Sequence, residues 1–265
     1  GIVDLEHFQA FPATTYSLIS RFQSAKKDDK IEYYIFNPNN TSIELKTILS
    51  QNQITINEDF FLGSTDMLSS LQKIKSTTEN KYAIVKNGFA TLADKVFIGN
   101  FGFSSGCIKV LKASNGRWSK CIFPYDESGS PLSETEFENN SEAYEYLVAN
   151  KAFLSSKQKD GNQKWYLFGR SQGLRDVSKE KYAINTIIKD IESIKLNYVP
   201  KGQGVFSGLY IITSVDYEFI KQQLLSKNFI DYVKSLRKYK SGGYYTFSSK
   251  DLEQYLNNKI SENYE

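Results

Sequence analysis

Eight short runs rich in β-branched and aromatic residues fill the middle of the chain: Tyr82–Phe89, Lys95–Ile98, Cys107–Ala113, Arg117–Phe123, Trp165–Phe168, Tyr182–Ile188, Leu196–Val199 and Gly208–Ile212. Each is bounded by Gly, Asn, Pro or Asp, residues that end a strand by turning the backbone. So many short strands can bury their apolar faces only against one another, which predicts a mostly antiparallel sheet or open barrel. One helix interrupts them, marked by Tyr144, Leu147 and Val148 with Glu142 and Glu145 in its first turn. A flanking helix is predicted over Asp66–Ile74, where Met67, Leu68, Leu71 and Ile74 repeat at helical spacing behind Ser64 and Thr65. Two more, Tyr217–Tyr239 and Ser249–Lys259, close the chain, joined by the strand-like Gly243–Phe247 and capped at Ser248–Asp251. The class expected is therefore α+β.

The N-terminal stretch reads differently. Ile2–Leu5, Thr15–Gln23 and Ile31–Phe36 are strand-like, with a turn at Lys26-Lys27-Asp28-Asp29, but they hold too little apolar material for a core. Asn37-Pro38-Asn39-Asn40 reads as a turn, and residues 41–61 as a polar connector with one short helix. A boundary is expected near residue 40, which divides the chain into 1–40 and 41–265.

Composition narrows the chemistry. With 40% apolar and 14% aromatic residues in 265, the chain has enough to bury and is not disordered. One histidine, His7, excludes a His-rich metal centre and leaves a Ser-His-Asp triad only that residue to build on. Cys107 and Cys121 are too few for a zinc ribbon and are expected to be buried small side chains. No apolar run approaches the roughly 20 residues needed to cross a bilayer, and Asp4 and Glu6 stand where a basic leader would begin, so a cytoplasmic protein without a membrane partner is expected. The chain opens on Gly1 and its one methionine is Met67, as expected of a piece of a longer protein.

Three motifs invite a nucleotide-binding reading. Phe101–Gly106 and Gly202–Gly208 are both followed by strand, whereas a phosphate-cradling loop must open a helix. Asn37-Pro38 begins like the Asn-Pro-Pro-Tyr loop of amino-methyltransferases but lacks the second proline and the aromatic ring. An enzyme acting alone is not expected. Charge is more informative where it gathers. The net charge is only +3, yet Lys157, Lys159, Lys164, Arg170, Arg175, Lys179 and Lys181 crowd one stretch, beside Trp165, Tyr166, Phe168 and Gln172. A second stretch holds Lys221, Lys227, Lys234, Arg237, Lys238, Lys240 and Lys250, against the single acid Asp231 and next to Ser241–Tyr245. Lys and Arg neutralise phosphates, and Arg and Gln can make two hydrogen bonds to one base. A solvated face in a lysine-rich composition gives the same counts, so charge alone leaves both readings open.

Three separated stretches together resemble the C-terminal part of bacterial N6-adenine DNA methyltransferases of restriction–modification systems, the TaqI- and Eco57I-like group. They are Ile2–Leu5 with Phe11–Gln23, Asn87–Phe97, and Trp165–Gln172 continuing through Ser207–Tyr210 to Gly242–Phe247. The resemblance implies that residues 1–40 are a remnant of an α/β methyltransferase sheet with its connector, and 41–265 a target recognition domain. It implies duplex DNA and the catalytic domain upstream in the parent chain as partners. S-adenosylmethionine would bind that upstream domain and not this chain, because the methyl-donor and catalytic loops precede the segment that Gly1 opens. This chain alone is expected to bind DNA without methylating it. The residues expected at DNA are Arg170, Ser171 and Gln172 in a groove, Gly88 and Thr91 on a DNA-facing loop, and Arg237, Lys238, Lys240 and Tyr244 on the backbone. The alternatives are an assembly module of a restriction–modification complex, or part of a fused endonuclease–methyltransferase.

Overall fold

The computed structural model describes residues 1–12, 15–24, 29–76, 81–157 and 164–264. Lys159 of the first basic stretch, residues 26–28 of the Lys/Asp turn, and Ala13 and Thr14 of the resemblance lie outside the described residues. In chain order, β1 (Ile2–Asp4), β2 (Leu18–Ser20), β3 (Lys30–Asn37) and β4 (Ser42–Ser50) precede α1 (Gln51–Ile54), β5 (Thr55–Ile56), β6 (Asp59–Phe60) and α2 (Thr65–Lys75). Then come β7 (Ala83–Asn87), α3 (Asp94–Phe97), β8 (Ile98–Gly99), β9 (Cys107–Lys112), β10 (Arg117–Ile122), α4 (Glu134–Glu138), α5 (Ser141–Ala149) and α6 (Lys151–Lys157). A 3-10 turn at Leu174–Ser178 leads to β11 (Lys181–Ile184), β12 (Ile187–Ile188), β13 (Leu196–Val199), β14 (Gly204–Phe206) and β15 (Leu209–Thr213). The chain ends with α7 (Tyr217–Leu224), α8 (Lys227–Ser235), β16 (Tyr239–Lys240), β17 (Tyr244–Thr246) and α9 (Ser249–Tyr264). The class is α+β with mostly antiparallel sheets, none closed into a barrel.

Two compact units share these elements, one of Gly1–Tyr82, Ile187–Ser193 and Val215–Glu265, the other of Ala83–Thr186 and Ile194–Ser214. In the first, a sheet of order β2-β1-β3-β4 pairs β1 parallel to β3 and the rest antiparallel. Asn37–Asn40 is the turn of the β3–β4 hairpin: the Asn37 side-chain oxygen accepts from the Asn39 amide (3.1 Å) and that of Asn40 from Ser42. These local bonds replace ladder bonds and are why an Asn-rich tetrapeptide reverses the chain. Helices α2, α8 and α9 pack through Leu68, Leu71, Phe229, Tyr232, Tyr255 and Leu256, all buried.

The second unit carries two four-stranded sheets, β14-β9-β10-β8 and β13-β11-β15-β7. An aromatic core of Phe89, Phe97, Phe123, Phe137, Tyr166 and Phe168 lies under the first, with Leu147 of α5 and Leu154 of α6. Leu111, Ala183, Val199, Val205 and Tyr210 form a second buried cluster.

Several expectations need correction. Residues 41–61 are not a polar connector: Ser42–Ser50 is a nine-residue strand whose pattern is blurred because Ile43, Leu45 and Ile48 are about half exposed. Trp165–Phe168 is a turn, and Tyr166 and Phe168 are buried there as core plugs. Lys95–Ile98 is mostly the short helix α3. Thr15–Gln23 supplies only the three-residue β2. Tyr217–Tyr239 is two helices, interrupted where Ser226 accepts from the Phe229 amide (3.2 Å) and starts α8 anew.

The start of α9 does follow its sequence signal. Ser248 and Asp251 exchange backbone and side-chain hydrogen bonds (2.8 and 3.2 Å) as a capping pair. The Asp251 carboxylate is buried and also holds Lys75 (3.3 Å) and Lys238. Burial alone would raise its pKa, but bonds from Lys238 and Ser248 outweigh that and hold it below the ordinary carboxylate value. Its stabilisation is therefore complete above the unfolded pKa of about 3.9 and fades as pH falls below it. Asp251→Asn should lower stability in urea by about 3 kcal/mol at neutral pH. The gap from the unaltered protein should narrow as pH drops below about 4.

Candidate nucleic-acid interface

Within the second unit the structure joins three segments, residues 88–91, 168–173 and 205–208. Beyond β7, the Gly88 amide donates to the Gly208 carbonyl (2.9 Å) and the Phe89 amide to that of Val205 (3.0 Å). Gly88 is forced by this approach, since a Cβ there would lie 2.6 Å from the Val205 oxygen and 2.9 Å from the Phe206 Cα. Phe89 then buries its ring against Phe168, with centroids 5.2 Å apart. Ala90 bridges antiparallel to Arg170, and the Gly169 amide donates to the Thr91 carbonyl (3.0 Å). From the far side, Gln172 Nε2 donates to the Gly88 carbonyl (3.0 Å), and Gly173, at φ 77°, turns the chain into the 3-10 segment. Arg170, Ser171 and Gln172 thus form an exposed tripeptide whose two ends are clamped to a buried frame.

That frame has a polar centre that the sequence did not announce. The buried Asp176 carboxylate accepts from Lys86 (2.7 Å) and from the Tyr210 hydroxyl (2.8 Å), and pairs with Lys179 (3.1 Å). Its own carbonyl accepts from the buried Lys181 amine (2.6 Å). Burial pushes the Asp176 acid up, but the bonds from Lys86, Tyr210 and Lys179 prevail and hold its pKa down to about 2. Burial brings the Lys181 amine down to about 8 despite the facing carboxylate. Strand β7, the 3-10 segment, β11 and β15 are tied at this one point.

The expected DNA residues separate into distinct kinds. Arg170, Ser171 and Gln172 are exposed and adjoining, and Arg170 makes no ion pair among the described residues. Gly88 and Thr91 belong to the same corner but are buried, not displayed on an exposed loop. Gly88 is pressed against the β14 backbone, and Thr91 is buried where its hydroxyl binds Asp94 and accepts from the Ala93 amide, starting α3. In the first unit, Arg237 donates to Glu6 (2.6 Å) and to the Tyr239 hydroxyl (3.0 Å), and Lys238 is spent on Asp251. Neither cation is a free phosphate ligand. Lys240 and Tyr244, neighbours across the β16–β17 ladder, are exposed.

The basic stretches are correspondingly thinner than their composition. Lys179 and Lys181 turn to Asp176, Lys221 pairs with Glu218 (3.3 Å), and Lys227 pairs with Asp231. Cys121 is buried and Cys107 half-buried, and burial raises the Cys107 thiol to about 11. His7 packs edge-on between Tyr239 and Tyr245 (4.7 and 4.8 Å), where burial lowers its pKa against the pull of Glu6. The loops at 101–106 and 202–208 run into β9, β14 and β15, as their sequence context predicts. No described helix is long and apolar enough to cross a membrane.

No protein-family profile matches the chain, and no curated protein matches it. Among solved structures, the Type IIL restriction-modification enzyme MmeI, determined in complex with DNA, is similar over 90% of this chain with a TM-score of 0.51 and 12% identity. The similarity covers 34% of that enzyme's chain, so the present chain spans about a third of its length, and fold is what the two share.

Because the atoms facing Gly88 are backbone, they cannot step aside for a side chain. Gly88→Ala should destabilise the protein by about 1–3 kcal/mol, read from urea denaturation, while leaving its strand content unchanged by circular dichroism.

Proposed function

We propose that this chain is the DNA-specificity part of a type II restriction–modification N6-adenine DNA methyltransferase. It grips duplex DNA and helps present one adenine for flipping, while S-adenosylmethionine and methyl transfer belong to a catalytic domain outside this chain. The observation that carries the reading is the exposed Arg170-Ser171-Gln172 tripeptide, clamped at both ends to a buried frame, in a fold shared with a restriction-modification enzyme determined with DNA. Rigid presentation is what base reading needs, because a bidentate contact tolerates little misplacement. Arg170 is the residue assigned to a base edge. Gln172 commits one of its two amide N–H groups to Gly88 and keeps the other and its side-chain oxygen to offer.

Lys240 and Tyr244 are assigned to backbone phosphate, and Arg237 and Lys238 are withdrawn from that role because they hold internal acids. A docking face for the catalytic domain is supported by the N-terminal sheet, where Ile19, Ile43, Leu45 and Ile48 share one face and are all more than half exposed.

Duplexes selected from a random pool and scrambled controls, titrated against the protein over a salt series, test the assignment. Arg170→Ala should reduce discrimination between the two by about 10–100-fold, the worth of one base contact. Lys240→Ala should weaken both alike and lower the salt slope by about one. A folded protein that binds no duplex at low salt overturns the reading.

A further inference from the structure

The β9–β10 hairpin of the second unit carries Lys109, Lys112, Arg117 and Lys120 and, from Cys107 to Ile122, not one acid. Its register makes this more than a count. Lys120 stands directly opposite Lys109, and Arg117 directly opposite Lys112, so two of the six cross-strand pairs place cation against cation. Like charges in that position destabilise a sheet, whereas an acid at either place would stabilise it. Lys109, Lys112 and Arg117 have no ion-pair partner among the described residues. The ladder gives no reason to set Lys109 against Lys120, but an external polyanion does.

The two pairs lie on opposite faces of the ribbon, because side chains alternate along a strand. The Lys109–Lys120 face is the built one. The Lys120 amine donates to the Phe101 and Phe103 carbonyls (3.0 and 2.7 Å) and to the Ser104 hydroxyl (3.0 Å), which fixes its position without neutralising its charge. Lys109 beside it is exposed. Two residues along β10, on the same face, Trp118 leaves 42% of its surface in water, unusual for so large an apolar ring. Amides flank the row on both sides. Gly99 pairs with Lys120, so Asn100 follows at one edge; Gly204 pairs with Val110, so Gln203 lies beside Lys109 at the other. Asn100, Lys109, Trp118, Ser119, Lys120 and Gln203 line a surface recess of about 400 Å³ over β9 and β10.

We infer that this recess is a second nucleic-acid site, one that holds the sugar-phosphate backbone of a DNA strand. Lys109 meets phosphate while Lys120, its three N–H bonds already made to the loop, adds positive charge beside it; the Trp118 ring packs on a deoxyribose or base, and the two amides bond phosphate or sugar oxygens. The site rests on the duplex-binding reading above and deepens it. It supplies affinity and register, while the Arg170 corner supplies sequence preference, since phosphate contacts position a protein and base contacts specify.

Three variants of the full chain test it, with duplex binding measured across a salt series. Lys109→Gln should lower the slope of log affinity against log salt by about one, leave the preference for selected over scrambled duplex unchanged, and keep or raise the melting temperature by relieving the like-charge pair. Arg117→Gln makes the same charge change on the opposite face and should leave the slope unaltered. In Trp165→Phe, where Trp118 is the one remaining tryptophan, saturating duplex should quench the emission. If the unaltered protein binds duplex while Lys109→Gln keeps its slope and Trp118 emission is unmoved, the site falls and the duplex reading stands. If the folded, unaltered protein binds no duplex, both fall. A lowered melting temperature for Lys109→Gln with an unchanged slope marks Lys109 as structural and also overturns the site.

Discussion

The second unit depends on one buried carboxylate. Asp176 draws Lys86 from β7, Tyr210 from β15 and Lys179 from its own turn, with the Lys181 amine of β11 folded over its carbonyl. A charge with so little solvent survives in a folded protein only when its oxygens are bonded, and removing one partner of such a group is far more destabilising than its formation is stabilising. That asymmetry makes the position of the 3-10 segment nearly compulsory. The tripeptide Arg170-Ser171-Gln172 enters that segment through Gly173, so its placement follows from a network that does not include it.

The same network explains why counting charges misleads. The basic residues of 157–181 form one cluster in the sequence, yet their side chains take two directions, Lys179 and Lys181 inward and Arg170 outward. In the first unit, Arg237 is neutralised by Glu6, which lies 231 positions away. No window along the chain could have shown that pairing. The β9–β10 hairpin is the reverse case. Its four cations are too few to stand out in a chain with 33, and they become conspicuous only when the register sets them against one another.

Legibility in the sequence follows the range of the forces involved. Local bonds were readable: the Asn37–Asn40 turn, the Ser64 start of α2 and the Ser248–Asp251 cap each satisfy backbone groups within a few residues. Strands rich in β-branched and apolar residues were readable by composition, as at β9 to β11, where neighbours such as Val110 and Leu111 are both buried. The failures came where tertiary context overrode propensity. Trp165–Phe168 has strand-forming residues, but Tyr166 and Phe168 are wanted as core plugs and the backbone turns to deliver them. Ser42–Ser50 has strand geometry without a clear period, because Ile43, Leu45 and Ile48 are left half exposed on its paired sheet. In the candidate site, Gly88, Thr91 and Arg170–Gln172 were identified together, but position could not separate frame from surface. Gly88 and Thr91 hold the corner up, and the tripeptide is what it displays.

That division bears on how such a corner can change. Arg170 and Ser171 are exposed and make no ion pair among the described residues, so replacing them alters the displayed chemistry at little cost in stability, as expected of exposed positions away from caps and cores. Gly88, Phe89, Phe168 and Asp176 are fixed by close backbone approach, ring packing and a buried charge, so exchanging any of them costs stability. Gln172 belongs to both sets, since it is exposed while its amide nitrogen closes the corner on Gly88. Variation should therefore concentrate at two positions and be restrained at the third by a hydrogen bond to the frame.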